Sequence, residues 1–311
     1  MRVTNSMLAS SFLTNLNRNM SAMSKYQNQL SSGRRITRLS DDPIGVMASI
    51  DARGKLSRLN MYSNAIGDAK SWLQQTETAL TDINGTLLDI SENTVRAANG
   101  TLSADDKKAV SATIEQLKQH IVSLGNSTYG GRYIFGGFNT TQEPFQKDAS
   151  GTLKYNGEDL VTASAAVTGA LGAQTIRYAT GVNVNTDVSI NGVQLMGTGS
   201  DNLVKILDDL TAALNSDAPS SDISAFIGKV NGKRQDVLSL LADVGGRSAR
   251  LDAMENNNAT NEITYTDELS KVEDVDQGEA TIQFKMAEAV YRSALAVGAQ
   301  VIKPTLLDFL R

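Results

Sequence analysis

Cysteine is missing from all 311 residues, histidine occurs once, at His120, and proline only four times. Without cysteine there is no disulfide, no thiolate metal site and no sulfur nucleophile. One histidine rules out a multi-histidine metal centre and leaves any serine–histidine–aspartate triad a single candidate base. Aromatic residues make up 5 % of the chain against 41 % hydrophobic residues overall, which favours long helices packed through aliphatic seams over an aromatic-rich enzyme core. The net charge of −5 is spread over interspersed acids and bases, so no nucleic-acid footprint stands out. No apolar run reaches the roughly 18–20 residues of a membrane span. Met1 to Ser10 also lacks the basic-then-apolar pattern of a cleavable signal. Taken alone, that absence points to the cytoplasm.

What the chain does have is heptads. Leu13, Met20 and Gln27 are seven apart, as are Leu16, Met23 and Leu30. The two rows lie three residues from each other, which puts both on one helix face and suits a coiled coil. Near the other end, Ala280, Ala287, Ala294 and Val301 form one row and Gln283, Val290 and Val297 a second. This seam is built of small residues, so a partner helix can approach closely. Gln27 and Gln283 interrupt otherwise apolar rows, a pattern that sets register in coiled coils. Pro304 ends the helical pattern and leaves an apolar tail of Leu306, Leu307, Phe309 and Leu310.

Between the ends the pattern lengthens. Leu59, Ile66, Leu73, Leu80 and Leu87 recur every seven residues beside Tyr62, Ala69, Thr76, Ile83, Ile90 and Ala97. These rows predict a helix from about Pro43 to Ala98, started by Asp42 as cap and Pro43 at its first position. Ser103 and Asp106 read as a capping box for a helix through Val110, Ile114, Leu117, Ile121 and Leu124. A third pattern opens near Asp222 and runs through Ile223, Ile227, Val230, Val237, Leu241, Val244 and Leu251.

The middle, from Arg132 to about Gly199, is rich in Gly, Thr, Ser and Asn. Tyr133–Phe135, Thr152–Tyr155 and Thr175–Tyr178 are candidate strands. Val188–Ile190 and Val193–Leu195 flank Asn191-Gly192, a two-residue hairpin signal. The fold class expected is mainly α: an elongated helical bundle with terminal coiled-coil helices and a small inserted β domain. The expected divisions are 1–42 with 272–311 for the terminal coiled coil, 43–131 with 200–271 for the bundle, and 132–199 for the β insertion. Paired heptads at the two ends of one chain invite those ends to pack together, and their remaining faces invite neighbouring copies.

Other readings of single motifs are weaker. Asp41 and Asp42 are adjacent and point apart, so a helix cap accounts for them without acid–base chemistry. Gly130-Gly131 and Gly136-Gly137 follow a helix and precede a strand, the wrong order for a phosphate loop, and read as a hinge into the β insertion. Trp72 and Met47 read as core or seam residues, and His120 as an ordinary imidazole beside an apolar row. Arg34, Arg35 and Arg38 face Asp41 and Asp42 in sequence and nearly cancel. They suit either a solvated linker or a contact between subunits.

Leu30-Ser31-Ser32-Gly33-Arg34-Arg35-Ile36, running on to Ser40-Asp41-Asp42-Pro43, resembles the N-terminal motif of the flagellin superfamily. Lys303-Pro304-Thr305-Leu306-Leu307-Asp308-Phe309-Leu310-Arg311 resembles that family's C-terminus. Gly131–Gly137 with Thr140-Thr141 and Pro144-Phe145, and Val244–Arg247 with Arg250–Asp252, resemble the branch that joins hook to filament. Leu39 departs from the family, which often has proline or a small residue there. The resemblance implies a structural protein with no active site and no cofactor. It implies a ring of identical subunits between hook-associated protein 1 and the flagellin filament. It also implies export through the flagellar type III channel with the help of a chaperone, which would account for the missing signal. A filament flagellin is the alternative within the same superfamily.

Overall fold

The computed structural model describes residues 5–99, 102–148 and 152–301, and within these it is mostly helical. The long helices are α1 (Asn5–Ser32), α2 (Pro43–Ala98), α3 (Ala104–Gly125), α6 (Leu203–Asn215), α7 (Ser220–Glu273) and α8 (Gln277–Val301). Six short strands and two short helices, α4 (Ala165–Gly172) and α5 (Gly192–Met196), lie between α3 and α6. Contacts divide the chain into two compact units, residues 60–259 and residues 1–59 with 260–311.

In 60–259 the heptads of α2 are the core. Ile66, Leu73, Leu80 and Leu87 of one row and Ala69, Ile83, Ile90 and Ala97 of the other are fully buried. They share one hydrophobic cluster with Ile223, Val230, Val237, Val244 and Leu251 of α7. The pairing is antiparallel: Ser91 donates to Asn231 at 3.3 Å, and Lys70 reaches Asp252 and Glu255 at 2.7 Å. Thr76 and Thr94 sit in the buried rows without cost because each hydroxyl donates to the carbonyl four residues back, on Trp72 and Ile90. Ser103 and Asp106 form the reciprocal capping box at the start of α3. The amphipathic α6 closes the unit, with Lys118 of α3 held between Asp208 and Glu115 at 2.5 Å.

The strands form three separate two-stranded antiparallel hairpins. β1 (Thr128–Tyr129) pairs with β2 (Arg132–Tyr133), β3 (Phe145–Lys147) with β4 (Leu153–Tyr155), and β5 (Arg177–Gly181) with β6 (Val184–Asp187). Ile134, Phe135, Phe145, Tyr155, Val188 and Ile190 belong to the same cluster as the helices, so the insertion has no separate core. Gly130 and Gly131, both at positive φ, make the tight turn between β1 and β2. Arg247 of α7 holds the end of β6 by donating to the Asp187 carbonyl at 3.1 Å.

Three expectations need correction. Asn191-Gly192 is not a hairpin turn: the Asn191 side chain accepts from the Gln194 N–H, the Gln194 side chain accepts from the Asn191 N–H, and α5 starts there. A capping box outcompetes the turn, and Gly192 is required because a Cβ would run into the Tyr155 and Phe145 rings. Ile134 and Phe135 are core residues following β2, not strand residues. Trp72 is buried, edge-on to Tyr129 at 6.2 Å, but Met47 is 67 % exposed, which removes the core reading for it and leaves the seam one.

In the other unit α1 and α8 pair antiparallel. Gly298 lies against the Phe12 ring at one end, and the Val275 N–H donates to the Gly33 carbonyl at 3.1 Å at the other. Among the described residues no helix is long and apolar enough to cross a membrane.

Candidate assembly surface

The α1–α8 pair uses half of each expected seam. On α1 the side facing α8 is Phe12, Leu16, Asn19, Met23, Tyr26 and Leu30, all half-buried. Leu13 and Met20 are 54 % and 48 % exposed, and Gln27 is exposed beside them. On α8 Ala280 is buried and Gln283, Ala287, Tyr291 and Ala294 are half-buried, while Val290 and Val297 are exposed. The small row of Ala280, Ala287, Ala294 and Gly298 receives the larger side chains of α1. The Val301 side chain and the tail residues Leu306, Leu307, Phe309 and Leu310 lie outside the described residues.

The exposed rows emerge on opposite faces. At 100° per residue, Leu13, Met20 and Gln27 sit about 80° to one side of the direction toward α8. Ile282, Met286, Val290 and Val297 sit about 95° to the other hand on α8. In an antiparallel pair, opposite hands mean opposite faces, so each face carries its own unpartnered apolar row.

At the other end of the pair the two connectors meet. Residues 33–42 join α1 to α2 and residues 274–276 join α7 to α8, with a β-bridge between Arg34 and Asp274. The Arg35 N–H donates to the Glu273 carbonyl at 2.6 Å, and its guanidinium to the Val272 carbonyl at 2.9 Å. The Glu273 carboxylate, almost fully buried, accepts from Arg53 at 2.8 and 2.5 Å and from the Ser49 hydroxyl, with Arg34 at 3.7 Å. Arg35 also pairs with Asp42 at 3.3 Å. Asp42 caps α2 through the Gly45 N–H at 2.9 Å, and that bond, ahead of Arg35, holds its carboxyl below the ordinary range. Burial pushes Asp41 up, but the N–H groups of Arg38 and Thr37 and the charge of Lys25 outweigh it, leaving it lowered. The arginines are thus used mostly within the chain, and Arg38 alone has no side-chain partner among the described residues.

Two features were not anticipated from the sequence. Gln29, 7 % exposed, donates to the Arg35 carbonyl at 2.7 Å and ties α1 to the connector. Leu39, Ile44, Met47 and Ile50 form an exposed apolar patch on the connector and the first turns of α2. The three-residue spacing of the last three was the available signal, masked by the capping motif beside it.

The Arg53 bond, ahead of those from Ser49 and the charge of Arg34, holds the Glu273 carboxyl below its ordinary value of 4.5. A lowered carboxyl stabilises the fold fully above that ordinary value and loses the contribution as pH falls through the lowered one. The charged groups on it are Arg53 from α2 and Arg34 from the connector. Amide exchange at Arg35 and Val275, corrected for intrinsic rate, is therefore expected to be flat from pH 7 to about 5 and to accelerate below 4.5. Flat protection down to pH 3 would remove Glu273 from this account.

Residues 3–140 match the bacterial flagellin N-terminal helical region. Flagellar hook-associated protein 3 of Salmonella typhimurium is 26 % identical over 308 residues, covering 94 % of this chain and 95 % of that protein. A flagellin of Bacillus subtilis is 27 % identical over 319 residues, covering 96 % of each. Among solved structures, a putative flagellar hook-associated protein from Vibrio parahaemolyticus superposes with a TM-score of 0.65 at 20 % identity, covering 75 % of this chain and all of that one.

Proposed function

We propose that this chain is a flagellin-family structural protein of the bacterial flagellum, the junction subunit that forms a ring between hook-associated protein 1 and the flagellin filament. The end-to-end similarity to hook-associated protein 3 carries the reading. Unpartnered apolar rows on opposite faces of the α1–α8 pair support polymerisation. Because the faces differ, contact between copies is heterologous and builds rings or tubes, whereas a two-fold dimer would need one self-complementary patch. In this reading the terminal helices line the inner wall, 43–131 with 200–271 carry lateral contacts, and 132–199 face outward. Arg38 reaches a neighbouring copy, and the tail residues Leu306, Leu307, Phe309 and Leu310 are required for ring assembly. The subunit leaves the cell through the type III export channel, guarded by a chaperone.

The second reading, a filament flagellin, is favoured by the equally long match to the Bacillus subtilis protein. Immunogold labelling of intact flagella with antibody against residues 132–199 separates the two. A single band at the hook–filament boundary is expected. Label along the whole filament would make the protein a flagellin, and signal only in the cytoplasm would sink both readings.

A further inference from the structure

We propose that α2 and α7 carry complementary charged faces, and that the α2 face of one copy docks on the α7 face of the next. The proposal rests on the structural-subunit reading above and adds which faces of 60–259 meet. Once the pairs inside the chain are made, the two helices are left with opposite charge. Between residues 60 and 98, Lys70 is taken by Asp252 and Glu255. Asp68, Glu77, Asp82, Asp89 and Glu92 stand exposed there, with no ion pair among the described residues. Arg96, in the last turn of α2, is the exception. Between 224 and 251 of α7, Asp236 is taken by Lys233 and Asp243 by Arg247. That leaves Lys229, Arg234 and Arg250: Lys229 lies over the Phe226 ring of its own helix, and the buried Arg234 Nε has no hydrogen-bond partner.

Both faces point away from the shared core. On α2, Gly67 and Gly85 lie about five turns apart on one line, half a turn round the helix from the buried rows, with Asp89 and Glu92 beside it. On α7, Gly228, Gly232 and Gly246 follow a similar outward line, with Arg250 next to it. Glycine inside a helix costs stability relative to alanine. A Cβ at any of these glycines would meet nothing within 4 Å, so the fold of one chain has no use for them. A second helix does, because it can come close enough for carboxylates to reach the arginine and lysine heads. From Gly67 to Arg96 the stripe runs about 45 Å, and at about 10 Å wide it buries roughly 450 Å² per copy, against about 800 Å² in a stable pair. Such a contact leaves single copies apart in solution and holds where it closes on itself around a ring. The acidic and basic faces are different surfaces, so the contact is head-to-tail.

The test uses the absence of cysteine. Full-length chain carrying Gly85→Cys with Gly228→Cys, Gly232→Cys or Gly246→Cys is made in cells lacking the wild-type copy, and sheared flagella are oxidised and run without reductant. At least one pair should give a ladder of dimers, trimers and longer products, while each single-cysteine variant stays monomeric. A second measurement reverses charge. Asp89→Lys with Glu92→Lys should cut incorporation into flagella at least about tenfold, and adding Lys229→Glu and Arg250→Glu should restore most of it. All four side chains are exposed, and recovery in the quadruple variant could not come from a misfolded chain. No ladder from any pair, a dimer from a single cysteine, undiminished incorporation of the first variant or no recovery in the second would each overturn the contact. Loss on reversal without any ladder would give the acidic face to a different protein. The ladder forms in a ring or a filament alike, so an immunogold result against the junction leaves this contact standing, and a missing ladder leaves the junction assignment standing.

Discussion

Gly298→Leu is expected to separate α1 from α8 and abolish polymerisation, while far-UV circular dichroism still reports a folded 60–259. A Cβ at Gly298 meets the Phe12 ring directly, and the remaining leucine carbons have nowhere to go. Overpacking of this kind costs about 1–3 kcal/mol, occasionally more. That is a small loss for a large core but decisive for a two-helix pair, since helices in proteins draw most of their stability from tertiary packing of one face. Exchange of peptides in 5–32 and 277–301 should rise at least about tenfold, the factor that corresponds to ~1.4 kcal/mol. The neighbour provides the contrast. Val297 is 56 % exposed, so Val297→Asp should leave those peptides protected and still block assembly by placing a charge on the outward row. If Gly298→Leu assembles normally, the pairing described for α1 and α8 is wrong. If Val297→Asp assembles normally, the outward row is not a contact surface.

Ile83→Asp carries the larger energetic effect. Ile83 is fully buried in the second half of α2, in the apolar cluster shared with α7. A carboxylate there has no partner and must either stay charged in a dry core or take up a proton. The expected loss exceeds about 4 kcal/mol, a large share of the total stability of an ordinary domain. Thermal denaturation should show 60–259 unfolded or nearly so near room temperature. Ile83→Val should cost only about 1 kcal/mol, because it removes one methylene. Leu88 stands five residues on and is 42 % exposed, and Leu88→Asp should leave the melting temperature within a few degrees. Equal sensitivity at 83 and 88 would mean that α2 is rotated from the orientation described here.

Long-range periodicity and local capping were legible in the residues themselves. The heptads through Leu59 and Tyr62, with the Asp42–Pro43 start, marked α2 from Pro43 to Ala98, and the Ser103–Asp106 box marked the start of α3. Both signals are local: a 3.6-residue turn repeats its buried face, and a cap needs only groups three residues apart. Periodicity was silent where polar residues occupy the row. The α7 pattern faded after Leu251, yet the helix runs to Glu273 with Asn258 buried in line with Leu251. Asn191-Gly192 misled for a related reason, since turn and cap draw on the same residues and the choice belonged to Gln194 and the Tyr155 ring.

The candidate surface divides the same way. That the two ends of the chain carry complementary helical seams follows from sequence alone. Which row of each seam turns inward does not, because adjacent heptad rows differ by only a fraction of a turn and both are apolar. Close packing of Phe12 on Gly298 decided that, leaving Leu13, Met20, Val290 and Val297 outside. The role of Glu273 was invisible for a deeper reason. Its partners Ser49 and Arg53 lie more than 200 residues away in the chain, and only the antiparallel return of α7 along α2 brings a carboxylate to them.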